Sequence, residues 1–281
     1  MNRRVALKTY SLSLLGLTLP GLSMSKEPFV KQQELSKSLD IPKHYPNIPP
    51  EIISEVVGKS HSDLERVKQL VDKRPELSRS VWEWRFGDFE SAIGAASHVG
   101  RRDIAQYLME KGARATLFTF AMLGHINVVK ASIEANPGIE KTMGPHGISL
   151  LDHAYAGERM KNEMSNTEIE NLERTIDYLA NLGNAGGDSY IEVTPEEQQK
   201  YIGDYKYGDG EKEGFTVGVN MRKLLSLGPI GGFGGGLYKT GENTFIYNGT
   251  PSVTISFETE NNAVTSLKIT DPEVTVIAKK I

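Results

Sequence analysis

Few residues in this 281-residue chain could begin a reaction. There is no cysteine, which removes disulfides, thiolate metal sites and a sulfur nucleophile together. Histidines stand at positions 44, 61, 98, 125, 146 and 153, and no two are spaced four apart as a helical metal pair requires. His146 and His153 flank one expected helix start, with Asp152 and Glu158 close in sequence. Such a grouping could hold an ion or pass a proton, but isolated histidines at this spacing are more simply structural. The only Ser-x-x-Lys runs from Ser23 to Lys26, in a segment that reads as a signal, and no Gly-x-Ser-x-Gly elbow occurs. The cluster Gly231 to Gly236 matches neither a dinucleotide fingerprint nor a P-loop and lies between expected strands, where a hairpin tip is the simple reading. No catalytic residue, cofactor or metal is therefore expected. What remains are recognition residues. Trp82, Trp84 and Phe86 alternate with Glu83 and Arg85, so an extended segment presents rings on one side and charges on the other. Aromatic and arginine side chains are common interface anchors, and the alternative is that these rings fold inward and plug the end of the neighbouring helical stack.

The elements that must position these residues begin after an address. Residues 1–25 carry Arg3, Arg4 and Lys8, then an apolar stretch from about Leu12 to Leu22, then Ser23 and Ser25 two apart. That order predicts export with cleavage before Lys26, and the Arg3-Arg4 pair resembles a bacterial twin-arginine signal; a Sec signal is the alternative. Either route implies a periplasmic or secreted protein. Net charge is −4 and falls to −7 without the three basic residues, so the footprint of a nucleic-acid binder is missing. No apolar run is long enough to cross a bilayer as a helix. Residues 26–50, with Pro28, Pro42, Pro46, Pro49 and Pro50, read as a linker or N-terminal arm.

From Glu51 the apolar residues take helical spacing: Ile52, Ile53, Val56, Val57, then Leu64, Val67, Leu70, Val71. The second group recurs as an internal repeat, in Gly100-Arg-Arg-Asp-Ile104 through Leu108 to Gly112-Ala113, in Gly124-His125-Ile126 with Val128-Val129, and in Leu172 to Gly183. Each copy follows a candidate first helix, at Ser91–Ala96, Leu117–Met122 and Ser149–Ala154. On these residues the chain resembles the ankyrin repeat family over 51–188. Gly100 and Gly124 stand too close for a finger between them, and the charged run Glu158 to Glu173 reads as a solvated helical insertion. The resemblance implies a solenoid of about four repeats, with His125 bonding to neighbouring turns. It also implies a concave partner-binding face served by Trp82, Trp84, Arg85, His98 and His146. The words around Trp82–Asp88, Ala95–Gly100 and Gly144–Ile148 are similar to a group of secreted bacterial ankyrin proteins, a resemblance that implies a shape and no reaction.

After Gly183 the period changes to two. Tyr201, Gly203, Tyr205 and Tyr207 are expected on one strand face, as are Phe215, Val217, Val219 and Met221, then Val253, Ile255 and Phe257, then Val274, Val276 and Ala278. Residues 189–281 are thus expected to form a small antiparallel barrel or sandwich. The Tyr201-Ile-Gly203-Asp-Tyr205 entry, Leu237 to Phe245 and the final Val276 to Ile281 resemble a lipocalin-like β-domain found at the C-terminus of serine β-lactamase-like hydrolases. The expected fold class is α+β multidomain, and the expected function an exported, non-catalytic protein–protein interaction module. The alternative is a small-molecule binding protein or an enzyme using the barrel, which could take a small apolar ligand, or the pocket between domains.

Overall fold

The structure is a computed structural model that describes residues 43–281, so the export signal and most of the N-terminal arm lie outside the described residues. Pro46–Ile281 form one unit. Its first part is helical. Hairpins are made by α1 (Pro50–Lys59) with α2 (Leu64–Lys73), α3 (Ala92–His98) with α4 (Arg102–Glu110), α5 (Leu117–Leu123) with α6 (Ile126–Ala135), and α7 (Leu150–Ala156) with α8 (Asn166–Leu182). The first helices pack in chain order, α1 on α3, α3 on α5 and α5 on α7, while α2 meets α4 and α6 meets α8. Two rows result, with Val56, Val67, Ile93, Ala95, Ile104 and Leu108 in one part of the seam and Ala121, Val129, Leu150, Leu172 and Leu179 in the next.

The local chemistry sets each start and stop. Asp63, Ser91, Ser149 and Ser165 each accept the N–H three residues on, at the starts of α2, α3, α7 and α8. Gly100 is left-handed at φ 73°, and a Cβ there would collide with the Ala156 carbonyl, so the turn and the close approach of α7 both need glycine. The charged insertion is only partly the helical extension expected of it. Gly157–Glu163 is a 3₁₀ segment, and α8 begins afresh at Asn166, because the Ser165–Glu168 capping box starts a new helix there.

Between α2 and α3 the chain makes a two-stranded finger, β1 (Val81–Glu83) and β2 (Phe89–Ser91), with Trp82 opposite Glu90. Phe86 and Gly87 turn it in left-handed conformations.

Helix α9 (Pro195–Tyr201) leads into eight strands: β3 (Gly203–Lys206), β4 (Gly214–Val219), β5 (Leu225–Pro229), β6 (Gly235–Gly241), β7 (Thr244–Tyr247), β8 (Thr250–Glu260), β9 (Ala263–Thr270) and β10 (Thr275–Lys280). They close an antiparallel barrel in chain order, with β10 pairing β3. Of the two expected architectures the barrel is the one formed. Tyr205, Val217, Leu227, Phe245, Tyr247, Ile255, Phe257 and Leu267 fill its interior. Tyr201 is a correction: it ends a helix and not a strand, because Thr194 caps and Pro195 starts α9. Its ring still joins the barrel core, and the Tyr205 hydroxyl donates to its carbonyl at 2.6 Å. Tyr207, Val219, Met221 and Val274 lie at strand ends or in turns and are exposed, so the alternating faces are shorter than expected. Among the described residues no helix is long and apolar enough to cross a membrane.

Candidate metal centre

Four side chains from four places in the helical part of the chain converge on one point. His61 comes from the turn between α1 and α2, Glu90 from β2, His98 from the last turn of α3, and His146 from the loop before α7. One donor atom of each lies within 4.8 Å of the others. His98 Nε2 is 3.0 Å from His61 Nε2 and 2.9 Å from Glu90 Oε1. His146 Nε2 is 3.3 Å from Oε1, and His61 Nε2 is 3.4 Å from Oε2. Four nitrogen and oxygen donors around a zinc-sized ion at ~2.0–2.1 Å stand about 3.3 Å apart, the range seen here.

The donors are oriented from behind. His61 Nδ1 faces the Gly58 carbonyl at 3.0 Å, and His146 Nδ1 faces Asp88 Oδ2 at 2.6 Å. Both partners only accept, so each Nδ1 carries a proton and each ring turns its Nε2 inward. The Trp84 indole N–H donates to Glu90 Oε2 at 2.8 Å. Oε1 has no hydrogen bond of acceptable geometry, although Glu90 is fully buried and two imidazoles stand beside that atom. The Nε2 atoms of His61 and His146 therefore crowd the Glu90 carboxylate. Such an arrangement is repulsive unless a proton or a cation lies between them.

The loop carrying His146 is held by the barrel. Asp88 is buried and accepts from the His146 N–H at 3.0 Å, from its ring, and from Asn248 Nδ2 at 2.7 Å. Asn248 and Gly249 form the two-residue turn between β7 and β8, both left-handed as such a turn requires. A Cβ on Gly147, itself at φ 63°, would lie 2.9 Å from the Asn248 carbonyl. The Tyr238 hydroxyl reaches the carbonyls of His146 and Gly147 at 3.0 Å each. His146 adopts φ 59°, an unfavourable conformation for a side-chain-bearing residue that these contacts hold in place.

The electrostatics agree with a charged hub. Burial opposes ionisation of Glu90, yet the imidazoles of His146 and His98 hold its carboxyl well below the usual range. Burial also opposes the His146 imidazolium, but Asp88 and Glu90 push it up to about 9. Burial keeps His98 below its ordinary value despite Glu90.

The residues expected to meet a partner have other contacts. Trp84, His98 and His146 do come together, but toward Glu90. Trp82 packs half-buried against the helical core. Arg85 Nη1 donates to the Phe233 carbonyl on the β5–β6 turn at 2.9 Å, and Phe86 lies edge-on against Tyr247. The finger thus engages this chain's own barrel. The grouping of His146 with His153, Asp152 and Glu158 is not formed: Asp152 takes the Ser149 hydroxyl, and Glu158 pairs with Lys161. His153 is buried and pushed down to about 4, with Nδ1 toward the Ser149 carbonyl and Nε2 unpartnered. His125 makes no side-chain cap bond to α6 and stacks on Phe120. Sequence reasoning missed His61, Asp88 and Glu90. The available signal was the Asp88-x-Glu90 alternation opposite Trp82 and Trp84, which puts two acids on one face of a strand.

Beside the centre, a groove of about 560 Å³ runs between finger and barrel, lined by Val81, Phe89, Phe118, Met143, Pro145 and Pro251 among others. Comparison with protein families, with curated proteins and with solved structures returned no match to this chain.

Proposed function

We propose that this protein binds one divalent first-row transition ion through His61, Glu90, His98 and His146. The observation that carries the reading is the buried Glu90 Oε1, unpartnered and faced by inward-turned imidazole nitrogens. Three imidazoles and a carboxylate, with no sulfur, suit zinc, iron, nickel or manganese rather than a soft ion. Asp88 behind His146, Gly58 behind His61 and Trp84 behind Glu90 are the outer contacts that such a centre needs. The ion sits within the stack of helical hairpins, read here as ankyrin-type, at its junction with the barrel. Export to the periplasm belongs to the same reading. Protein stripped with chelator and titrated with Zn(II) should take up one ion per chain and unfold at a higher temperature. Glu90→Gln and His98→Ala should each abolish stoichiometric uptake. If the stripped protein takes up no Zn(II), Mn(II), Fe(II) or Ni(II), the cluster is a proton-held ion pair of His146 with Asp88 and Glu90 instead.

A second reading keeps the expected protein partner and moves it to the groove, where Phe89 and Val81 are 64% and 52% exposed. Phe89→Arg would then abolish partner capture while leaving metal uptake intact.

A further inference from the structure

We infer that the ion at this centre keeps a coordination position open to solvent and takes a small anionic oxygen or nitrogen donor there. The inference rests on the metal reading above. Its warrant is how unevenly the four donors are covered. Glu90 and His98 form the floor, with side chains 0% and 9% exposed. His61 and His146 form the walls and are 27% and 22% exposed. A site that serves only to hold a fold together closes protein around every ligand, whereas one that handles a ligand leaves a face uncovered.

The rings make a slot. His98 meets both walls edge-on, its centroid 4.9 Å from that of His61 and 5.0 Å from that of His146. The two walls stand further apart, 6.4 Å between centroids, and are tilted by only 27°. The gap between the walls is thus wider than the spacing of either wall to His98. Trp84 stands edge-on to His61, its ring centroid 6.4 Å away at 64°.

Charge selects the class of donor. A divalent ion with one carboxylate and three neutral imidazoles keeps a net positive charge, which favours a carboxylate, a phosphate oxygen, hydroxide or a pseudohalide over a neutral amine. All four protein donors stay bound, and the added ligand raises the coordination number by one or exchanges with bound water. No bond is made or broken in the ligand itself.

The test uses the whole protein loaded with Co(II), titrated with azide and separately with acetate, and followed by absorption. A cobalt spectrum that changes saturably, at one azide per cobalt and with the cobalt retained on gel filtration, supports the open position. Loading with Mn(II) gives a second readout, since inner-sphere water should give the bound ion a water-proton relaxivity above the outer-sphere value, and saturating azide should lower it. A protein that holds cobalt with a spectrum indifferent to both anions, and manganese without relaxation enhancement, overturns the open position while leaving the metal reading standing. A protein that takes up neither ion overturns both.

Discussion

Trp84 shows what one hydrogen bond does at this centre. Its ring is half-buried against the helical core, and its N–H is the one donor satisfying buried Glu90 Oε2. Trp84→Phe keeps most of the ring and removes that donor. It should weaken Zn(II) binding by roughly 10- to 100-fold, as loss of an outer contact to a ligand commonly does. The metal-free protein should lose about 1–3 kcal/mol, since a buried carboxylate oxygen is left unpaired. Competition with a chromophoric chelator and denaturant unfolding measure the two effects. An affinity unchanged within twofold would show that the indole does not position Glu90. His153 makes the complementary point. Its Nε2 is buried and unpartnered like Oε1, but it packs among Phe118 and Gly144, and a Cβ on Gly144 would lie 2.7 Å from its ring. An unsatisfied atom therefore gains meaning only from what faces it.

At the scale of elements, the centre depends on helices that approach closely enough to bring distant turns together. Gly100 ends α3 just after His98 and lies against the α7 C-terminus. Gly100→Ala adds a Cβ where the Ala156 carbonyl stands and forces a left-handed φ on a side-chain-bearing residue. It should cost about 1–3 kcal/mol or more in urea unfolding, and a loss below 0.5 kcal/mol would mean that the α3–α7 contact can relax. A second clasp ties α9 to the barrel. Lys239 Nζ lies 2.6 Å from Glu197 Oε1, and the Tyr201 hydroxyl donates to Asn243. Lys239 holds the Glu197 carboxyl below its ordinary value, so the unfolded chain binds that proton more readily than the folded one. Stability from the pair is present above the ordinary glutamate value and is lost as pH falls from there through the lowered folded-state value. Glu197→Gln should cost up to about 1 kcal/mol at pH 7 and progressively less as pH falls below the ordinary glutamate value, read from unfolding midpoints of the two proteins across that range.

For the whole molecule, the barrel helps to build a site to which it gives no ligand. Asn248 bonds Asp88, Asp88 bonds the His146 ring, and Tyr238 holds the His146 backbone. Asn248→Ala should thus lower Zn(II) affinity about tenfold or more, although the residue does not touch the ion. The same variant should expose Asp88 and His146 amides to faster hydrogen exchange. Full metal affinity with loosened docking would separate the two halves functionally.

Several features were legible along the chain itself. Helical spacing from Glu51 and alternation from Gly203 are local properties, because side-chain period follows directly from backbone geometry. The antiparallel strands, the turn glycines and the burial of Val253, Ile255 and Phe257 were therefore open to reading. Tyr201 was misread because alternation ran back into a seven-residue helix whose Thr194–Pro195 start outweighed it. The candidate metal centre was not legible, for a reason of distance. Its ligands are spread from position 61 to position 146, and none stands at a spacing that one helix or strand could bring together. Only the stacking of successive hairpins and the docking of the barrel place those donors within 4.8 Å of one another. The same residues alone could not tell a partner-facing Trp84 from one that donates to a buried acid. The Trp84–Glu90 hydrogen bond was decided by tertiary packing, which also brings the finger against the Phe233 and Asn248 turns of the chain's own barrel.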